Sequence, residues 1–213
     1  MAEREWASIF IAVLLMFIVA GLPSIVTGEL LFMTQIFVAS MVVVVLPLLL
    51  RKAFAYSLDA SVKHRVWHFY RFGIYPGQHF KKEYPFGIIV PGFFAILGLL
   101  ASFPIMVLTF LTYETRALKH RAAKRFGYYS YTEMTDWHNA LIGASAIVVL
   151  LVISLVGYIG NFEVLAKLAA YYAFWNMIPF SDLDGTQIYF GNKVLYYVLA
   201  ITTLIFTLYA IWI

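Results

Sequence analysis

Cysteine is absent from this chain of 213 residues, which excludes disulfides, thiolate metal sites and a cysteine nucleophile. Charge is scarce: Asp, Glu, Lys and Arg make up 12% of the residues, against 63% that are hydrophobic. No segment is polar enough for a separate soluble domain, and a mean hydropathy of +0.85 is that of a membrane protein. Also missing are an internal repeat, an A-x-A-like cleavage site after the first apolar run and a glycine-rich phosphate loop. The net charge of +4 is spread through loops beside apolar runs, where basic residues mark the cytoplasmic side of a membrane. That leaves no soluble basic face for nucleic acid.

What the sequence has in abundance is apolar runs near the roughly 20 residues a helix needs to cross the hydrocarbon core. They predict one integral membrane domain over residues 1–213, all-α, with about six transmembrane helices at 7–26, 31–50, 86–112, 140–159, 162–178 and 194–213. A further helix is expected over about 53–70, carrying Asp59, Lys63, His64, Arg65 and His68 and ended by Gly73 and Pro76-Gly77. It is too polar to face lipid, so it lines the protein interior, a water-filled cavity or the membrane surface. The loops 51–85 and 113–139 are both basic, the second through Arg116, Lys119, His120, Arg121, Lys124 and Arg125, which read as a solvated cytoplasmic helix beside anionic headgroups. The charge rule places both loops inside, yet one span between them would separate them. Either 86–112, interrupted by Pro91-Gly92, Gly98 and Pro104, is a hairpin, or the histidine helix enters the bilayer.

The chemistry-bearing pattern is His64-Arg65-Val66-Trp67-His68 with a distant carboxylate, Asp184. On a helix, residues four apart share a face, so both imidazoles could reach one metal ion. Asp184 lies in a polar break between two apolar runs, after Pro179 and before Gly185; an ionised carboxylate at membrane depth needs a metal or a basic partner. Two imidazoles and one carboxylate, with one position open, make a zinc site. In zinc hydrolases with an H-E-x-x-H helix the general base follows the first histidine; here that residue is Arg65. The bland alternative is two interfacial histidines and a solvated loop aspartate.

The segment Asn176…Pro179…Leu183-Asp184-Gly185 resembles the N-x-x-P-x-x-x-[LM]-D-G motif of the site-2 proteases, intramembrane zinc metalloproteases. His64 to His68 lies where the short archaeal branch carries H-E-x-x-H, and Tyr84-Pro85-Phe86-Gly87 resembles that branch's aromatic-Pro-x-Gly segment. Pro104 and the Trp137-His138-Asn139 turn are more loosely similar to later positions, so the resemblance covers about residues 55–195. It implies a site-2-protease-like core in a prokaryotic plasma membrane. Zinc would be held by His64, His68 and Asp184, with Asn176, Pro179 and Gly185 supporting the site. The catalytic glutamate is replaced by Arg65, which cannot accept a proton. Either Arg65 swings away toward Asp182 or a solvent cavity and leaves zinc bound but inert, or its guanidinium neutralises Asp184 and no metal binds. Glu83, Asp59 and Asp182 are the carboxylates that could replace the base, and none has its fixed placement. The expectation is a catalytically inactive pseudoprotease, a structural or regulatory subunit among other membrane subunits in the lipid bilayer. The alternatives are an active zinc protease with a displaced base, and a transporter or channel, which intramembrane carboxylates and broken helices also suit.

Overall fold

Long apolar runs fold as helices because in lipid only a helix satisfies its own backbone donors and acceptors. The computed structural model describes residues 2–28, 30–71, 78–101, 106–118 and 134–212. Seven helices lie within them: α1 (Ala2–Thr27), α2 (Leu30–Ser57), α3 (Phe86–Ala101), α4 (Asp136–Ile159), α5 (Glu163–Met177), α6 (Asp184–Gly191) and α7 (Lys193–Trp212). Four of them, α1, α2, α4 and α7, are long and apolar enough to cross a membrane. The other two expected spans correspond to shorter helices, α3 with 16 residues and α5 with 15. At 1.5 Å per residue these reach about 24 and 22 Å, less than the hydrocarbon thickness of roughly 30 Å.

The core lies among α1, α2, α4 and α5, around Met16, Val43, Val44, Leu150, Ala169 and Ala173. Small residues let α4 and α5 approach closely: a Cβ on Gly157 would sit 2.9 Å from the Ala166 backbone nitrogen. Thr135 caps α4, its hydroxyl accepting from the His138 backbone N–H.

The expected helix over 53–70 is corrected. α2 ends at Ser57, Asp59 turns the chain at φ 56°, and four strands follow along the sequence: β1 (Ala60–Val66), β2 (Phe69–Arg71), β3 (His79–Tyr84) and β4 (Leu111–Ala117). They form two antiparallel pairs, β1 with β4 and β2 with β3, so the chain is mostly helical rather than all-α. The reason is a period of two: Ala60, Val62, His64 and Val66 are buried while Ser61, Lys63 and Arg65 are not. In the ladder His64 lies opposite Tyr113 and Arg65 opposite Thr112.

Trp67 closes the segment that the charge rule left ambiguous. Its backbone N–H donates to the Phe110 carbonyl and its carbonyl accepts from the Gly87 N–H, each at 2.9 Å. Residues 87 and 110 are therefore tied to one residue and lie at the same level. Only glycine fits at 87, where a Cβ would stand 2.4 Å from the Phe110 oxygen. Gly73, Pro76-Gly77, Pro104 and the basic run from Lys119 to Arg125, with His120, lie outside the described residues.

Candidate functional site

Asp184 opens α6 and is 4% exposed. It is held there by its neighbour Gly185, whose missing side chain lets the backbone meet Met177: a Cβ would fall 2.1 Å from the Met177 oxygen. Asn176, also buried, donates through Nδ2 to the Tyr172 carbonyl of its own helix at 2.8 Å. Pro179 is exposed in the intervening loop, and Ser181 there adopts φ 53°, a left-handed conformation costly for a residue with a Cβ.

The cation facing Asp184 is Arg51. Its Nη2 donates to Asp184 Oδ2, and Arg51 is itself only 4% exposed. α2 delivers it there because Arg51 continues the buried stripe of Val44, Pro47 and Leu48, spaced three and four residues along one helix face. The Tyr113 ring covers the guanidinium at 4.3 Å, a cation–π contact. Tyr113 in turn donates through its hydroxyl to the Asn139 carbonyl at 2.8 Å, and its own carbonyl accepts from Gln187 Nε2 at 3.3 Å. Burial, then the Asp184 charge, push the Tyr113 phenol above its ordinary pKa. Burial also raises Asp184 itself, against the pull of Arg51; because the arginine cannot lose its proton, the pair is read as ionised.

His64 points to the same interior from β1. Glu5 Oε1 accepts from the His64 backbone N–H at 3.0 Å, meets its Nδ1 at 3.2 Å and takes Lys52 Nζ at 2.8 Å. Burial, with Arg51 and despite Glu5, lowers the His64 pKa to about 3, so the ring is neutral. A carboxylate only accepts, so the ring proton sits on Nδ1. His68 lies beyond the end of β1, and its Nδ1 donates to the Val66 carbonyl at 2.6 Å. Arg65, on the outer face of β1, bridges Glu114 at 2.8 Å and Asp182 at 3.6 Å.

Of the sequence-predicted residues, the structure thus brings Asp184 and His64 into the neighbourhood of one cation, Arg51. It turns Arg65 out toward Asp182, the direction expected for it if zinc were bound, while the zinc itself is a separate question of fit. The guanidinium that neutralises Asp184 belongs to a different arginine from the one expected. Glu5, Arg51 and Tyr113 were not anticipated. The signal for Arg51 was its place on the apolar stripe of α2; nothing local marked Glu5.

Whether these residues suit zinc can be read from their free atoms. His64 Nε2 and Asp184 Oδ1 are buried without a hydrogen-bond partner, and a histidine whose Nδ1–H is held by a carboxylate is how metal ligands are oriented. Against that, no group of three His, Cys, Asp or Glu side chains able to hold a metal occurs among the described residues. A dication at Asp184 would also face the Arg51 guanidinium; at about 5 Å and an effective dielectric near 20 that repulsion is about 7 kcal/mol. As arranged, the residues do not fit the ion. On the outer side, Glu114, Asp136, Asn139, Asp182 and Gln187 line a polar cavity of about 760 Å³ that reaches Tyr113.

No family model, curated protein or solved structure matches the chain.

Proposed function

We propose that this chain is a non-catalytic, site-2-protease-like protein of a prokaryotic plasma membrane, serving as a structural or regulatory subunit of a larger membrane assembly. The observation that carries this reading is the Arg51 guanidinium on Asp184, a fixed positive charge where the resembling enzymes hold a metal. Arg65 supports it, because the position that would activate water lies on the opposite face of β1 from His64. The guanidinium repels a dication at the aspartate, and Glu5, the carboxylate beside His64, is already engaged by Lys52 and by His64 itself. What remains is a buried polar centre that ties α1, α2, β1, β4 and α6 together.

A second reading, a zinc-dependent intramembrane protease, is favoured by the free Nε2 of His64 and by its Nδ1 contact with Glu5. Purification in mild detergent distinguishes the two. The subunit reading expects co-purification with other membrane proteins and no cleavage of membrane-embedded substrates. Stoichiometric zinc with cleavage by the isolated chain would replace it with the second reading.

A further inference from the structure

The charges of this chain are sorted by end. At one end, Glu5 joins Lys52 and His64, Arg51 joins Asp184 and Tyr113 joins Asn139. This places the start of α1, the close of α2, both sheets, the start of α4 and the start of α6 together. At the other end, the beginning of α2 and the α4–α5 turn share a groove lined by Phe32, Gln35, Asn161 and Phe162, and Tyr158 meets Tyr209 near the close of α7 with ring centroids 5.0 Å apart.

Of the 11 Lys and Arg among the described residues, Lys167 alone lies near this second end. The other ten lie at the first end, and of the nine described Asp and Glu only Glu163 lies at the second. The loops that carry them are short, the regime in which Lys and Arg, rather than net charge, set orientation.

We infer that the end carrying the two sheets and the Arg51–Asp184 pair is the cytoplasmic end, resting on the anionic headgroups of that leaflet, and that the α4–α5 turn and Trp212 lie on the opposite side. The β2–β3 hairpin suits such a surface. Lys81 and Lys82 are exposed on β3, and Tyr70 and Tyr84, each 46% exposed, flank them, a pairing of aromatics and lysines that seats at the headgroup level. Gly87 and Phe110 both lie on this side, tied to Trp67, so β1, β3 and β4 share a compartment. The polar cavity beside Tyr113 then opens to the cytoplasm, and whatever meets it comes from there.

The absence of cysteine makes the test free of background. Ser57→Cys at the first end and Phe162→Cys at the second, both exposed positions, are expressed in cells with the whole chain. They are treated with a membrane-impermeant maleimide before and after lysis, and labelling is normalised to the denatured protein. The expected result is full labelling of Phe162→Cys in intact cells, and labelling of Ser57→Cys only after lysis. Labelling of Ser57→Cys in intact cells, alone or alongside Phe162→Cys, would overturn the assignment. So would labelling of neither before lysis with both reacting after it. Lys82→Cys and Trp212→Cys repeat the comparison at a second pair of sites, so a variant that fails to accumulate does not decide it.

Discussion

An arginine keeps its charge at every accessible pH, so burying Arg51 to 4% exposure obliges the fold to supply a carboxylate. Removing either partner strands the other in a medium that cannot solvate it. Arg51→Met or Asp184→Asn is expected to lose about 3–5 kcal/mol of stability. The double variant Arg51→Met/Asp184→Leu should recover most of that, because no uncompensated charge remains; unfolding in detergent micelles measures all three. A double variant no more stable than the singles would mean that the pair is not what holds these residues. His64 adds a pH dependence of definite sign. Unfolded, it takes a proton near its ordinary 6.5, whereas in the fold it stays neutral down to about 3. Its contribution is therefore complete above 6.5 and is lost as the pH falls toward 3, by about 1.4 kcal/mol per unit. His64→Gln should flatten that part of the profile; an unchanged slope would assign it to other groups.

At the scale of elements, the difference between a strand and a helix decides where Arg65 goes. Residues 64 and 65 are about 100° apart on a helix but on opposite faces of a strand, and β1 is a strand. Glutamate at position 65 would consequently point to Glu114, on the outer face, and not toward His64. Arg65→Glu is expected to yield no proteolysis and to cost about 0.2–1 kcal/mol from like charges across the ladder. Cleavage by that variant would show that β1 does not hold this register. Gly185→Ala should be worse, by about 2 kcal/mol or more, since the new methyl group meets the Met177 carbonyl and displaces Asp184; wild-type melting of this variant would contradict the close approach. The strand was only partly legible in advance: Ala60, Val62 and Val66 fall on a period of two, but Lys63-His64-Arg65 breaks the apolar and polar alternation. The four-residue spacing of the two histidines drew the reading toward a helix, because that spacing fits a metal site only on one. Of the six spans expected from composition, four correspond to helices long and apolar enough to cross a membrane. The partner of Asp184 was not, because Arg51 followed directly on the second apolar run and looked like its end. Only the registration of Val44, Pro47 and Leu48 marks it as inward-facing. Glu5 was beyond reach, since it meets His64 through a contact 59 residues away.

For the molecule as a whole, four helices long and apolar enough to cross a membrane carry at one end a polar centre whose charges are matched from within. On the proposed reading this centre needs no metal to stay folded, which would separate a structural subunit from an enzyme whose site depends on one. The most direct measurement is the metal content of the purified protein by elemental analysis, together with its melting temperature before and after a strong chelator. The account predicts well under one zinc per chain and a melting temperature that the chelator leaves unchanged. One zinc per chain, lost in both His64→Ala and Asp184→Ala and matched by a fall in melting temperature on chelation, would contradict it.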